Sequence, residues 1–304
     1  MWLIRLFALY AAMTMEKFVS DINSYFVRPL ASLAKVLIRS RCPSAGVAPH
    51  ERPLIVMGNG PSLRSFINEG PDLRQGFDLM AVNFAANAPE FDTLRPQLYI
   101  LADPHFFNGG DTDPNVARLW QRLASVNWPM TLWLPLSHRQ MARPLAASLP
   151  GNVTLRWCNL TPVEGKGWLS RTLIRGGWGM PRPRNVLIPA IMTALRSGYR
   201  RIFLVGADHT WSQSLWVDDA NRVVSVQPHF YKDDEKEQAR VTSEYAGYHL
   251  HDILGSLTVA FRSYFDILDF SRSLGAEIIN ATPGSFIDAF PRCGYAQMPT
   301  LSRR

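Results

Sequence analysis

The fold is decided by Leu54-Ile55-Val56-Met57-Gly58-Asn59-Gly60-Pro61-Ser62, a short apolar run that ends in a loop with two glycines. Four apolar residues bounded by a turn predict a buried strand, and the residues that follow Pro61 are compatible with a helix. Glycines let backbone approach a ligand closely, Ser62 can cap the helix, and free N–H groups at its positive end suit a phosphate or ribose. The stretch is neither a Walker A sequence nor a full GxGxxG, so a plain turn is also compatible with it. A strand, a glycine loop and a helix in this order predict a nucleotide-binding α/β domain.

Apolar runs and helix-compatible segments alternate along the rest of the chain. The predicted strands cover 79–82, 98–101, 130–134, 153–157, 202–205 and 277–279, and the predicted helices cover 115–126, 137–149, 185–197 and 248–274. Residues 165–183 are rich in Gly, Trp, Arg and Pro without periodicity, so we expect a long irregular loop there. Strands separated by helices predict a doubly wound, mainly parallel, Rossmann-like sheet. Its ligand should lie at the carboxyl ends of the strands, near the reversal of strand order.

The sequence before the first strand has a different character. Residues 1–42 are predicted to form an N-terminal amphipathic helical segment, 43–53 a linker rich in Pro, Ser and Gly, and 54–304 the ligand-binding domain. Apolar residues recur at helical spacing between Phe18 and Leu37, with basic residues among them. Such a segment could lie on a membrane surface, or pack on the main domain or on a second subunit. The apolar residues 2–13 are too few to span a bilayer.

Composition narrows the classes of partner. Lys and Arg number 32 against 25 Asp and Glu, a formal charge of +7, which favours either a solvated basic surface or attraction to phosphates, acidic sugars or anionic lipid. No nucleic-acid recognition motif is present, so nucleic acid is not an expected partner. The three cysteines are far apart, which predicts neither a disulfide framework nor a zinc site and fits a reducing cytoplasm. We expect a cytoplasmic protein, peripheral at most to the inner face of the cytoplasmic membrane, with no cofactor and no bound metal.

Polar side chains follow three successive predicted strands. Asn59, Asn83 and Asp103 each come just after an apolar run. An amide donates and accepts hydrogen bonds at once, which suits the edge of a base or ribose hydroxyls. Each residue alone is typical of a turn, but together at successive strand ends they predict a binding site.

Several stretches carry a resemblance to known families. They are residues 55–63, Val82-Asn83, Asp103-Pro104-His105-Phe106-Phe107, and 185–208, which ends in Gly206-Ala207-Asp208. In these stretches the chain resembles the bacterial lipooligosaccharide sialyltransferases, and the likeness extends to the motility-associated transferases that attach nonulosonic acids to flagellin. The archaeal 6-hydroxymethylpterin diphosphokinase-like proteins share the glycine loop. The resemblance implies a GT-A-like variant of the Rossmann-like fold, with 54–304 as a nucleotide-sugar-binding transferase domain.

The resemblance also implies roles for individual residues. Asn59 and Asn83 would contact the cytidine monophosphate of the donor, together with the glycine loop. Asp103 stands where those enzymes carry an asparagine that touches the donor sugar, and its negative charge argues against sialic acid itself. Asn185 and Asp208 bound the matching stretch and are further candidates for substrate binding. Arg184 is a candidate cation for the leaving phosphate, although a solvated surface arginine is an equal interpretation.

The related transferases are inverting, metal-independent enzymes with a histidine general base, which suits removal of a proton from an acceptor hydroxyl. His229 is the favoured candidate, because it lies where the family has a mobile lid. His249 comes second, at the start of the long predicted helix, whose positive end keeps an imidazole neutral. His209 is a lesser contender. Asp111-Thr112-Asp113 resembles a metal-binding DxD, but it lies in a Gly-rich loop and is interpreted as solvated.

The sequence therefore predicts transfer of an acidic sugar from a CMP-activated donor to a glycan or lipid-linked glycan at the cell surface, as in lipopolysaccharide biosynthesis. Homo-oligomers are common among the related enzymes and are an open expectation here. The alternative is a 6-hydroxymethylpterin diphosphokinase-like phosphotransferase that uses ATP and magnesium. A nucleotide-binding module without catalysis also remains open.

Overall fold

A computed structural model describes residues 15, 17–49, 51–69, 71–108, 113–225 and 247–302. Seven parallel strands form one sheet within these ranges, in the order β5-β4-β3-β2-β1-β6-β9. Their bounds are β1 Leu54–Met57, β2 Asp78–Val82, β3 Leu98–Ile100, β4 Met130–Pro135, β5 Val153–Cys158, β6 Arg201–Val205 and β9 Glu277–Asn280. A separate antiparallel pair, β7 (Leu215–Val217) and β8 (Val223–Ser225), follows β6 along the chain.

The helices cover both faces of this sheet. Their bounds are α1 Arg28–Arg39, α2 Ser62–Asn68, α3 Phe91–Leu94, α4 His105–Asn108, α5 Pro114–Ala124, α6 Arg139–Ala146, α7 Trp168–Arg175, α8 Leu187–Arg196, α9 Leu250–Ser273 and α10 Met298–Ser302. Leu54 and Val56 of β1 pack into one core with α8 and α9, and Ile55 and Met57 pack into the other with α2 and α5. A strand covered on both faces must be apolar at every position, which is why β1 reads as a continuous run. The predicted doubly wound, Rossmann-like fold is confirmed.

The strand order reverses between β1 and β6. The chain adds β2 to β5 on one side of β1, and then places β6 and β9 on the other side. Helices that precede parallel strands run back across the sheet, so the first residues of α8 and the loops after β1, β2, β3 and β6 meet at one edge. This carboxyl edge is where ligands bind in open α/β sheets.

Residues 165–183 differ from the expected irregular loop, because they contain α7. Ser170, Leu173 and Ile174 are the buried residues of this helix, at the spacing of one helical face. The helix has only eight residues and lies between Gly167 and Gly176, so its periodic pattern is too short to predict a helix from the sequence.

The segment predicted as a linker is hydrogen-bonded to the domain. The Ser44 N–H donates to the Trp157 carbonyl at 3.0 Å, and the Val47 N–H donates to the Arg196 carbonyl at 2.7 Å. The Arg196 guanidinium in turn donates to the Ser44 carbonyl at 2.6 Å. These bonds hold residues 44–47 beside β5 and the end of α8. The domain boundary at residue 54 stays a prediction.

Candidate functional site

Asn59 and Asn83 meet at the carboxyl edge of the sheet. Asn59 lies two residues beyond β1, and Asn83 directly follows β2, the neighbouring strand. The Asn59 Nδ2 donates to the Val82 carbonyl at 3.2 Å, which ties the first strand end to the second. The structure therefore brings together two of the three residues that the sequence placed in one site, and no bond joins Asp103 to either of them among the described residues.

Both asparagines carry an unpaired amide oxygen. The Oδ1 atoms of Asn59 and Asn83 are buried, and neither accepts a hydrogen bond from another described residue. Leaving a buried acceptor unpaired costs about 1–3 kcal/mol. These two oxygens can therefore accept hydrogen bonds from a polar ligand at this edge.

The backbone of Asn83 is fixed by hydrogen bonds from a buried tyrosine. Asn83 has a φ of 47°, in the left-handed region that asparagine tolerates better than most residues. The Tyr99 hydroxyl donates to the Asn83 carbonyl and accepts from the Ala86 N–H, the latter at 2.9 Å. Tyr99 lies on β3, so the third strand fixes the turn that presents the Asn83 amide.

The two loop glycines are required by a second loop. A Cβ on Gly58 would lie 2.4 Å from the Gly206 carbonyl oxygen, and a Cβ on Gly60 would lie 1.9 Å from the Asp208 Oδ2. The Gly60 N–H donates to the Gly206 carbonyl at 2.9 Å. The loops after β1 and β6 thus pack directly on each other at the reversal of strand order. These contacts between the two loops require glycine at both positions, and the predicted close approach of a ligand to Gly58 and Gly60 stays a prediction.

Asp208 occupies the start of α2. Its carboxylate accepts from the Ser62 hydroxyl at 2.8 Å and from the Ser62 N–H at 3.3 Å. Ser62 is the first residue of α2 and makes no capping bond, so the expected helix cap is wrong. The Asp208 carboxylate occupies the positive end of α2, where a phosphate was expected. A second anion at the same helix end would be repelled by it. Asp208 and Ser62 belong to the loop contact, and their predicted contact with substrate stays a prediction.

Asn185 begins a chain of buried hydrogen bonds. Its Oδ1 accepts from the Leu187 N–H at 3.0 Å and from the Tyr264 hydroxyl at 2.9 Å. The Tyr264 hydroxyl lies 2.5 Å from the His209 Nε2. The Asn185 Nδ2 is buried without an acceptor among the described residues. Asn185 therefore adds an unused donor to the unpaired amide oxygens of Asn59 and Asn83.

His209 is a hydrogen-bond donor in this chain. The Tyr264 hydroxyl uses its hydrogen to donate a hydrogen bond to the Asn185 Oδ1. It must therefore accept the hydrogen bond that joins it to the His209 Nε2–H. Burial lowers the pKa of His209 to about 3, so the imidazole is neutral near pH 7. Its ring packs on Trp211 with centroids 4.0 Å apart. Burial and the bond to Tyr264 disfavour a role for His209 as general base, and that role stays a prediction.

His249, the second predicted base, lies away from the strand ends. His249 is the exposed N-cap of α9, and its ring stacks on that of His251 with centroids 5.8 Å apart. It precedes Tyr264 by fifteen positions along α9, which is about 22 Å of helix. The structure therefore does not bring His249 to the strand ends. His229 lies outside the described residues. Arg184 is exposed beside Asn185.

A histidine–aspartate pair that the sequence does not predict lies beyond the end of β3. The His105 Nε2 lies 2.7 Å from the Asp113 Oδ2, and both side chains are partly exposed. Asp113 also caps α5, because its Oδ1 accepts from the Asn115 N–H at 2.8 Å. Burial raises the pKa of the Asp113 carboxyl, but the hydrogen bonds from His105 and Asn115 outweigh it, and the net shift is downward.

Asp103 lies beside this pair. It is exposed, and its Oδ1 accepts from the His105 N–H at 2.9 Å. His138, which follows β4, stacks on Phe107 with centroids 5.2 Å apart. Burial lowers the pKa of His138, while the Asp103 charge acts in the opposite direction. Asp103 thus bonds to the backbone of His105 and acts electrostatically on His138. Asp103 and His105 belong to the stretch 103–107, which resembles the sialyltransferases. No pattern in the sequence links these two residues with His138.

A groove of about 950 Å³ opens beside the Asp208–His209 loop. Phe261, Phe265 and Phe286 contribute its rings. The Phe286 N–H donates to the Asp208 carbonyl at 2.9 Å, and the Phe261 ring lies 6.4 Å from that of His209. Two residues of the groove therefore lie against the loop after β6, and the groove runs from there along α9.

The charged lining of this groove is mixed. It contains Asp266, Asp269 and Asp288 together with Lys166, Arg262 and Arg272. Burial, and then the neighbouring Asp269 charge, raise the pKa of Asp266 to about 6. Across the described part of the chain, no three His, Cys, Asp or Glu side chains are grouped so that they could hold a metal ion.

Comparison with known proteins gives little more. No protein-family model matches the chain, and no curated protein matches it. Among solved structures, the chain is similar to the MAf glycosyltransferase from Magnetospirillum magneticum AMB-1, with 11% sequence identity and a TM-score of 0.43. That similarity covers 96% of this chain but 44% of the other. The chain thus spans less than half the length of the structure it matches.

Proposed function

We propose that the chain is a glycosyltransferase that moves an acidic sugar of the nonulosonic or ulosonic type from a CMP-activated donor to a cell-surface glycan. The observation that carries the proposal is a set of unpaired buried amide atoms: Asn59 Oδ1 and Asn83 Oδ1 at neighbouring strand ends, and Asn185 Nδ2 just before α8. A cytosine ring presents an amino group that donates hydrogen bonds beside ring atoms that accept them. Ribose hydroxyls can both donate and accept hydrogen bonds. A pyrimidine nucleotide is therefore matched to two acceptors and one donor of the protein. The sequence resemblance to CMP-sugar transferases supports the same ligand.

The groove along α9 is the proposed site for the acceptor. Its phenylalanine rings can stack on the apolar faces of sugar rings, and the carboxylates of Asp266 and Asp269 can accept hydrogen bonds from hydroxyls. The groove adjoins the loop that carries His209, so an acceptor there lies next to the donor cleft. The exposed Asp103 carboxylate would repel the carboxylate of an acidic donor sugar held against it, so we place the acid group of the donor away from the end of β3.

A histidine is the proposed general base. His229 remains the prediction from the sequence. Among the described residues, His105 has the surroundings of a base, because Asp113 can hold its Nε2–H and leave Nδ1 free to take a proton. Replacing the true base by Ala should lower turnover at least about a hundredfold while donor binding persists. Parallel measurement of His229→Ala and His105→Ala assigns the role, with His251→Ala as the control. Full activity in both of the first two variants would contradict a base at either position.

The experiment that tests the function measures which nucleotide product the protein releases. The full chain is incubated with a CMP-activated acidic sugar and a mixed oligosaccharide acceptor without metal, and free CMP is followed by mass spectrometry. We expect acceptor-dependent release of CMP. Formation of AMP from ATP and magnesium in the presence of a pterin substrate would instead support the phosphotransferase. Thermal stabilisation by none of CMP, UDP or ATP, with or without magnesium, would favour a binding module of another kind.

The phosphotransferase has less support from the site. It rests on the shared glycine loop, and the glycines of this loop are accounted for by their contacts with Gly206 and Asp208.

A further inference from the structure

The N-terminal helix turns a second apolar side to solvent, in addition to the side that carries Val36 into the core. Large apolar side chains from Phe18 to Ile38 are exposed, and the exposed fractions reach 65% for Phe26, 74% for Leu37 and 73% for Ile38. A helix on the surface of a globular domain normally buries its apolar stripe. α1 buries Val36 and packs Leu33 on the core, so its exposed apolar residues form a second apolar side that needs an explanation.

Polar contacts fix this orientation. The Ser32 hydroxyl is buried, donates to the Glu164 carbonyl at 3.2 Å and accepts from the Glu164 N–H at 2.9 Å. The Lys35 ammonium lies 3.4 Å from the Glu164 carboxylate, which also pairs with Arg182 at 2.7 Å. Rotating α1 to bury Leu37 and Ile38 would break these bonds. The apolar side is thus held outward by the fold itself.

The helix packed beside α1 extends the same surface. Trp168, at the start of α7, is 76% exposed, and Arg171 and Arg175 of α7 are exposed as well. Gly165, just before α7, lies so close to Pro29 that a Cβ on it would come within 2.5 Å of that ring. We call the exposed residues of 15–39 and of α7 the α1–α7 face.

The charges on the α1–α7 face indicate what kind of partner binds there. Lys17, Arg39, Arg171 and Arg175 are exposed, and the only exposed acid on the described part of this face is Asp21. Apolar side chains surrounded by Lys and Arg, with tryptophan at the margin, are the composition of helices that lie in the headgroup region of a bilayer. A second copy of the same face would bring like charges together. Among the helices that the structure describes, none has the length and the apolar content to cross a bilayer.

We propose that the α1–α7 face binds the surface of a bilayer that contains anionic lipids, with α1 lying in the plane of the interface. Leu37, Ile38 and Phe26 enter the acyl boundary, and the arginines of α7 meet the headgroups. This binding involves neither the donor cleft nor the proposed transfer reaction. It is measured without nucleotide, so the two proposals fail separately.

The test is cosedimentation of the full chain with vesicles of phosphatidylcholine alone, and with vesicles of phosphatidylcholine mixed with phosphatidylglycerol. We expect strong binding to the mixed vesicles and weak binding to the neutral ones. L37E/I38E should lose at least about tenfold in vesicle affinity, because two charges would have to enter an apolar boundary. R171Q/R175Q should lose roughly 30-fold on mixed vesicles, since each cation near an anionic surface contributes about fivefold.

The matched control is Met141→Glu, which puts a charge at an exposed apolar position of α6, on the opposite face of the sheet. It should bind like the wild type, and circular dichroism should show all variants folded. Wild-type protein that binds neither kind of vesicle would overturn the proposal, as would L37E/I38E that binds as well as Met141→Glu. A wild-type dimer that L37E/I38E dissociates, without any vesicle binding, would identify a second copy as the occupant and also overturn it.

Discussion

At the scale of single residues, Asn83 depends on a contact that the sequence does not display. Its turn is fixed by the Tyr99 hydroxyl, which joins the Asn83 carbonyl to the Ala86 N–H inside the protein. Tyr99→Phe would leave these two buried backbone groups without that partner. We expect a loss of about 1–3 kcal/mol in the free energy of unfolding, measured by urea denaturation. Tyr295→Phe is the control, because its hydroxyl makes a longer 3.4 Å bond to Ser62. Equal effects of the two variants would contradict the assigned role of Tyr99.

Gly58 is a second residue whose role can be measured. Gly58→Ala forces a Cβ to within 2.4 Å of the Gly206 carbonyl oxygen, a backbone atom that cannot swing away. We expect a destabilisation of about 1–3 kcal/mol or more, as for overpacked cores. Gly255→Ala is the matched control, because its Cβ meets nothing within 4 Å on the exposed side of α9. It should instead stabilise the protein by up to about 1 kcal/mol. Thermal unfolding of both variants distinguishes packing of the loop from a role limited to ligand binding.

The polar residues at the strand ends could be predicted because residue type and position after an apolar run are both visible in the sequence. Asn59 and Asn83 were placed together for this reason. The His105–Asp113 pair could not be predicted, because its members are eight positions apart across a loop and meet only when α4 and α5 are placed. Ser62 was predicted to cap α2 since it is the right residue type at the right place. Only the fold shows that Asp208, far along the chain, takes over that position.

At the scale of elements, α9 connects the donor cleft and the groove. Tyr264 faces His209 and Asn185, and Asp266, two residues later, lines the groove. The helix was predicted from its length and periodicity, and its predicted bounds differ from Leu250–Ser273 by two residues at the start and one at the end. The α7 helix was missed because its eight residues carry too short a periodic pattern between glycines.

The raised pKa of Asp266 gives α9 a pH-dependent effect on stability. Its folded pKa of about 6 lies above the ordinary value of 3.8, so between these values the folded protein holds a proton that the unfolded chain has released. The contribution of Asp266 is therefore most favourable below pH 3.8 and is lost as the pH rises through about 6.

Asp266→Asn should accordingly stabilise the protein relative to the wild type more at pH 7.5 than at pH 4.5, because Asn carries no charge to bury. Differential scanning calorimetry at the two pH values measures the difference in Tm. Asp219→Asn, at an exposed position between β7 and β8, is the control for loss of one negative charge. A difference between Asp266→Asn and wild type that shrinks as the pH rises would contradict the burial of this carboxyl.

At the scale of the whole molecule, one sheet edge organises the proposed chemistry. The proposed donor cleft lies at the ends of β1, β2 and β3, and the groove lies along α9 beside the loop after β6. The sheet could be predicted because fully buried strands are apolar throughout and alternate with helices. The course of the groove could not, because it depends on how the 286–288 segment and the residues before α7 pack against α9.

Titration calorimetry with CMP in the absence of metal tests the central claim most directly, since the claim is a pyrimidine-nucleotide cleft built from Asn59 and Asn83. We predict that the full chain binds CMP more tightly than ATP. Asn83→Ala should weaken CMP binding about tenfold, the effect of losing roughly 1.4 kcal/mol of hydrogen bonding. Asn127→Ala, a change at an exposed residue that bonds only to Arg95 in the described structure, should leave the affinity unchanged. A wild-type chain that ignores CMP, or an Asn83→Ala variant that binds it as tightly as the wild type, would contradict the proposed cleft.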